Sequence, residues 1–218
     1  AIQILKEDFA EFDAQLIIMD VVPWMLPYYE ASGIQFEIED NRDYMDYTFT
    51  PEQFQAGMDT QDDRYRYNYF KRRFAYETEE ITPSHQEEIR EFMEKEWCGE
   101  KTCEECHCGC LLRVIDNLVP VFDKIRINGI LVRVEGKMAG LCIVSCRNGL
   151  GVYQYKNAVN RIKGINEYLL RESFERYLQS ADTINYTEDM GVENLRYYKE
   201  HMAPAHTLLS KLTLTERG

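Results

Sequence analysis

Hydrophobic residues change period once between Ile125 and Tyr177. Ile130, Val132 and Val134 alternate with Leu131, Arg133 and Glu135, the pattern of a strand, and the run stops at Glu135-Gly136-Lys137. Met138 to Cys146 resumes with β-branched residues and breaks at Arg147-Asn148-Gly149, and Gly151 to Val159 is a third run. Short glycine-containing breaks between β-rich runs predict hairpins, so residues 126 to 159 are expected to form a largely antiparallel sheet. Beyond Asn160 the spacing lengthens. Tyr168, Leu169, Phe174, Tyr177 and Leu178 recur at helical intervals, which predicts a helix over 165 to 178.

The flanking pattern is less regular. Apolar clusters at Phe9, Phe12 and Leu16–Ile18 precede Pro23 and Pro27, which predict a short helix near Pro23 followed by an extended piece. Ile34, Phe36 and Ile38 alternate in a strand and are expected to face the core; Asp43 to Phe49 alternates again. Thr50-Pro51 and Thr82-Pro83 each pair a cap with a first-turn proline and so start helices. Phe74 to Ile81 is a further strand, and Leu111 to Phe122 a further helix. At the C-terminal side, 183 to 187 is a strand, 191 to 202 a short helix and 205 to 215 a closing strand.

Composition narrows the class. The chain has 218 residues, 44% hydrophobic and 29% charged, with a formal net charge of −13. That is the profile of a globular protein of one large domain or two small ones. The acidic balance argues against a general nucleic-acid or anionic-membrane binder, and disfavours tRNA as a partner, because phosphates reward positive charge. No apolar run approaches the ~20 residues of a membrane-spanning helix. The opening residues are too acidic for a leader peptide, so a cytoplasmic location is expected; the lack of an initial Met is consistent with a fragment.

Two stretches change that picture. Residues 59 to 73 put three acids in the first five positions, then interleave Arg64, Arg66, Lys71, Arg72 and Arg73 with aromatics. Such a run either grips phosphates and stacks on bases, or forms a helix whose rings pack and whose charges are solvated; the acidity of the whole favours the second. The other stretch places Cys98, Cys103, Cys106, Cys108 and Cys110 with His107 in thirteen residues. One Cys-x-x-Cys followed by crowded Cys-x-Cys pairs lacks the two separated knuckles of a zinc ribbon, so no metal site is expected; a redox role or a plain exposed loop remains.

Candidate chemistry lies elsewhere. A strand ending near Val159, a loop containing Gly164 and a helix start make a possible anion site at Arg161, Lys163, Gly164, Ile165 and Asn166. Asn166 is also a candidate helix cap. This order resembles the core of the GNAT acyltransferase superfamily, whose loop of pattern Arg/Gln-x-x-Gly-x-Gly/Ala holds the pyrophosphate of an acyl-CoA. Arg161 and Gly164 match that loop, and Asn166 departs from it.

The last third carries a more specific resemblance. Asn185, Asp189, Gly191, Leu195, Arg196, Lys199 and Pro204 fit the closing run of the bacterial phosphatidylglycerol lysyltransferase C-terminal-like family, with Met190 and Val192 at its Leu and Ile positions. FEIEDNRDYMDYTFTPEQF and EEITPSHQEEIREFMEKEWC are similar to the same family. The resemblance implies an α/β (α+β) GNAT-like fold, a mixed, largely antiparallel sheet with flanking helices. It implies a reduced first half over 1–73 and a complete second half over 74–218. It also implies transfer of an acyl group from acyl-CoA or aminoacyl-tRNA to an amine or hydroxyl, with Tyr198 as the acid for the leaving group. Glu188 and Asp189, past a strand's carboxyl end, are candidates to activate the amine; the alternative is that they cap the helix that follows. A non-catalytic binding module of this fold and a thiol-rich metal or redox protein are the competing readings.

Overall fold

The computed structural model describes residues 16–98, 109–202 and 206–216. Its strands are β1 (Ile17–Val21), β2 (Phe36–Asp40), β3 (Asp46–Phe49), β4 (Tyr76–Glu80), β5 (Ile127–Val134), β6 (Lys137–Arg147), β7 (Leu150–Ala158), β8 (Thr183–Asn185), β9 (Thr207–Leu209) and β10 (Leu212–Glu216). Its α-helices are α1 (Leu26–Glu30), α2 (Pro51–Met58), α3 (Gln61–Arg73), α4 (Gln86–Met93), α5 (Gly109–Leu118), α6 (Ile165–Ser173) and α7 (Glu193–Met202). They group into two compact units. Phe49–Asn185 forms one, and Ala1–Thr48 with Tyr186–Gly218 forms the other.

In the 49–185 unit the strands lie in the order β4-β5-β6-β7-β8. The first three pairings are antiparallel and β7 pairs β8 in parallel. Both predicted hairpins are present as two-residue turns. Glu135 and Gly136 have φ of 53° and 74°, and Asn148 and Gly149 have 51° and 78°. Positive φ at both positions gives a turn whose twist matches that of the strands it joins, which is why Asn-Gly suits it. Helices cover both faces of this sheet. On one, Leu131, Leu141 and Ile143 pack with Ile89, Phe92 and Met93 of α4 and Ile115 of α5. On the other lies α6, so close that a Cβ on Gly140 would press on Leu169.

A register shift between Ile143 and Val144, opposite Tyr155 and Tyr153, breaks the alternation of β7. Such a bulge re-aims side chains. Tyr153 donates its hydroxyl proton to the Leu170 carbonyl in α6 at 2.8 Å, while Tyr155, two residues on, reaches Met93 of α4. The helix predicted over 165–178 is α6 continued by a wider π turn over Phe174–Leu178.

The basic-aromatic run is helix α3, and its charge order has a local cause. Thr60 caps it, Asp62 and Asp63 occupy the first turn, and Lys71, Arg72 and Arg73 the last. Acids at the positive end and bases at the negative end of a helix dipole stabilise each by roughly 0.3–1 kcal/mol when exposed. The rings do pack: Phe70 is fully buried, 4.8 Å from Tyr168 and 5.0 Å from Tyr76 between centroids.

In the other unit β1, β10 and β2 form an antiparallel sheet, and Val21, Leu212 and Leu214 make its small core. Three expectations need correcting here. The closing strand over 205–215 is two strands, β9 against β3 and β10 between β1 and β2. They break at Ser210-Lys211, where the Lys211 ammonium turns to Asp46 at 2.8 Å and Glu188 at 3.3 Å. Ile38 does not reach the core; it is 47% exposed, because β2 is an edge strand over a core of few side chains. The strand expected over 43–49 begins only at Asp46, since Asn41 accepts the Asp43 N–H at 3.0 Å and caps a 3-10 turn over Arg42–Tyr44. Residues 99–108, with the central cysteines, lie outside the described residues, as do Phe9 and Phe12. Among the described residues no cluster of three or more His, Cys, Asp or Glu could hold a metal ion, and no helix is long and apolar enough to cross a membrane.

Candidate functional site

The loop Tyr186–Gly191 carries two of the three non-glycine residues with positive φ among the described residues of the 1–48/186–218 unit. Thr187 and Met190 adopt φ of 56° and 52°. For a β-branched residue such as Thr187 this is a conformation of a few per cent or less, and each costs on the order of 1–3 kcal/mol. Two buried ionic groups hold the loop in it.

The first is Asp189, which is fully buried. Its carboxylate accepts from Arg42 Nη1 at 3.0 Å, Tyr47 Oη at 2.7 Å, Arg196 Nε at 3.0 Å and Nη2 at 2.8 Å, and the Gly191 N–H at 2.9 Å. Burial works to raise its pKa, but the hydrogen bonds from Arg196, Tyr47 and Gly191 outweigh it and hold the group well below the usual carboxylate range. Five donors occupy the lone-pair directions of the two oxygens, so Asp189 organises its neighbours. Arg42 also donates to Tyr47 Oη at 2.6 Å and to Glu200 at 3.0 Å, and Arg196 pairs with Asp43 at 2.5 Å. Each guanidinium side chain is 31% exposed, so one side of the pair meets solvent.

The second is Lys199, 3% exposed. Its ammonium donates to the carbonyls of Tyr186 at 2.6 Å, Thr187 at 3.2 Å and Glu188 at 2.7 Å, and lies 4.8 Å from the Tyr186 ring centroid. Three successive carbonyls turned to one cation explain how the unusual backbone angles persist. Lys199 and Met202 share the buried face of α7, so a lysine at a core-facing helical position was the available sequence signal.

Glu188 is the carboxylate of this loop that meets solvent, with its side chain 28% exposed. Burial raises its pKa, but its own backbone N–H and Lys211 lower it further, so it is ionised at neutral pH. Tyr198 sits half-buried on α7. Glu188, Asp189 and Tyr198 therefore belong to one compact unit, together with Arg42, Tyr47 and Lys211, which sequence reasoning did not single out. Arg42 and Tyr47 lie among ordinary turn and strand residues, where only the tertiary pairing with Asp189 marks them.

Arg161, Lys163, Gly164, Ile165 and Asn166 belong to the 49–185 unit. Gly164 is the N-cap of α6 with φ of 88°, and no side chain caps that helix, so Asn166 does not reach back to it. A Cβ on Gly164 would run into the Arg66 carbonyl of α3 and touch Phe70, so the glycine admits the backbone of a neighbouring helix. Ile165 is fully buried. Lys163 extends over the rings of Tyr65 and Tyr69, at 4.7 and 5.2 Å, and Arg161, 72% exposed, pairs with Glu96 at 3.3 Å.

Known proteins share this fold. A crystal structure of a conserved protein of unknown function from Bacteroides thetaiotaomicron superposes with a TM-score of 0.79 at 24% identity, covering 99% of this chain and 74% of that one. L-PGS from Bacillus licheniformis gives 0.69 at 14% identity, over 100% of this chain and 73% of that one. A GCN5-related N-acetyltransferase from Kribbella flavida gives 0.50 at 11%, over 100% and 74%. At these identities the likeness establishes the fold, a GNAT-like one, as the strand order and flanking helices require. No curated protein matches the sequence. The family model for the C-terminal region of phosphatidylglycerol lysyltransferase matches residues 1–210, nearly the whole chain, and the protein belongs to that family.

Proposed function

We propose that this protein is an acyl- or aminoacyltransferase that moves an acyl group from acyl-CoA or aminoacyl-tRNA to an amine or hydroxyl. The observation that carries this reading is the Tyr186–Gly191 loop: a strained backbone, fixed by Lys199 and Asp189, that presents the ionised Glu188. Strain persists in folded proteins where the surroundings over-determine it, and it clusters at functional sites. Family membership and the GNAT-like fold support the same reaction class. In this reading Glu188 takes the proton that the attacking amine or hydroxyl loses as its bond to the acyl carbon forms, and Tyr198 gives a proton to the CoA sulfur or tRNA ribose oxygen as the bond from the acyl carbon to that atom breaks. Asp189 contributes by fixing Arg42, Tyr47 and Arg196. Arg161, Lys163, Gly164, Ile165 and Asn166 are the proposed donor-binding segment. The test is incubation of the purified chain with labelled acyl-CoAs and with charged tRNA, each with amine acceptors, following label into the acceptor. Transfer from either donor supports the reading, and its absence from both refutes it.

One observation favours a second reading, a non-catalytic module of the same fold. The space at Gly164 is filled by the chain's own helix α3. A module closed in this way binds neither acyl-CoA nor charged tRNA in equilibrium titration, while a transferase binds the donor it uses.

A further inference from the structure

Within the 49–185 unit a cavity of about 270 Å³ opens at the end of the sheet where β5 begins. It is separate from the 161–166 loop. Ile127, at its wall, is level with Ser145 and Val152, whereas the loop follows Ala158, which is level with Gly140 and Val132. Five residues of strand, roughly 17 Å, separate the two rows.

The lining is amphipathic and carries charge of one sign. Ile81 and Phe122, both 5% exposed, form an apolar floor. Glu80, Asp123, Asn128 and Tyr177 supply the polar wall, and among the described residues no lysine, arginine or histidine lines the cavity. The Tyr177 hydroxyl donates to Glu80 Oε1 at 3.2 Å, which fixes that carboxylate at the wall. An anion would meet two carboxylates at the wall, Arg176 being engaged with the Tyr177 hydroxyl and not among the lining residues. A neutral apolar molecule would cover part of these exposed carboxylates and return no hydrogen bond for the water displaced, which is costly. A cation with a short hydrocarbon body satisfies both surfaces. At roughly 30 Å³ per water-sized group, the volume accommodates about nine such groups, more than a five-carbon amine requires.

We propose that this cavity is a binding site for a small aliphatic ammonium ion, its charge on Glu80 and Asp123 and its chain on Ile81 and Phe122. Neither the proposed transfer reaction nor the residues assigned to it are used here. The site takes an alkylamine, a diamine or an amine-bearing side chain.

The test uses the full chain and three isosteric probes, n-pentylammonium, 1-pentanol and pentanoate, in ligand-observed NMR titration at low salt. The expected result is saturable binding of pentylammonium, at least tenfold weaker binding of the alcohol and none of the carboxylate. Glu80→Gln is expected to weaken pentylammonium at least fivefold, and Glu80→Gln with Asp123→Asn to abolish binding; both side chains are exposed, so the fold survives. Ile125→Trp, which fills the mouth of the cavity, is expected to block binding with both carboxylates intact. Equal binding of all three probes, no binding of any, or unchanged affinity in the double variant would overturn the proposal.

Discussion

The two compact units each hold a stretch of backbone in the left-handed region, by different physics. In the 1–48/186–218 unit the loop from Tyr186 to Gly191 is held by charge: a buried carboxylate with five donors and a buried ammonium with three carbonyls. In the 49–185 unit the turn at Gly164 is held by shape, with the α3 backbone and Phe70 against the glycine and Phe70 itself packed on Tyr76 and Tyr168. Charge-held structure answers to pH and to the loss of a single partner. Shape-held structure answers to volume. Ionic groups that fix a loop can orient a neighbouring reactive group as well.

The largest effect is expected from Asp189→Ala, which strands two guanidiniums and a buried phenol. Removing one partner of a buried ionic cluster costs about 3–5 kcal/mol, and the partial exposure of Arg42 and Arg196 places this case toward the lower end. Urea denaturation measures it; a loss below about 1 kcal/mol would show that the network is not what holds the loop.

Gly164→Val comes next, at about 2–4 kcal/mol, from the left-handed φ and the overlap with Arg66. Its cost should be the same at pH 4 and pH 7, since no titrating group is involved. A strongly pH-dependent cost would erase the distinction between the two units.

Lys199→Met removes the cation and is expected to cost about 2 kcal/mol, because the Glu188 carbonyl loses its donor while the Tyr186 and Thr187 carbonyls keep the Thr187 hydroxyl and the Tyr47 N–H. Amide hydrogen exchange should rise at Tyr186–Gly191 and stay unchanged in β5–β7. Faster exchange throughout both units would mean a general rather than local role.

The smallest effect is a slope. The folded-state pKa of Asp189 lies below its unfolded value, so its contribution is complete above about pH 4 and is lost as pH falls through the folded value. Subtracting the stability–pH curve of Asp189→Asn from that of the wild type isolates this part. The difference should shrink steadily as pH drops from about 5 toward 2, and a difference that grows on acidification would reverse the sign of the argument.

The sheet of the 49–185 unit was legible in sequence because its signals are local. Two-residue turns need Gly or Asn, and strands buried under helices repeat β-branched residues on a short period, so β5, β6, β7 and α6 could be placed nearly to the residue. The small sheet of the other unit was not, because its three strands come from the two ends of the chain and share few core residues. Ile38 and the break at Lys211 depend on neighbours far away in sequence. The same holds for the ionic network: Arg42 and Asp189 are 147 residues apart, and no local pattern joins them. Arg196 and Lys199 were visible only as parts of a family-like run, and Asp189 also as an acid past a strand's carboxyl end; at Gly164 the sequence alone does not separate a glycine that admits a helix from one that admits a ligand.

The central claim is that Glu188, presented by a loop that Asp189 and Lys199 hold, serves acyl or aminoacyl transfer. Single-turnover transfer by wild type and Glu188→Gln, with whichever donor the wild type uses, tests it most directly. The account predicts a rate reduced about a hundredfold or more, in keeping with the loss of a positioned acid–base group, with stability within about 1 kcal/mol of wild type. An unchanged rate in Glu188→Gln, or a wild type that transfers from neither acyl-CoA nor charged tRNA, would contradict it.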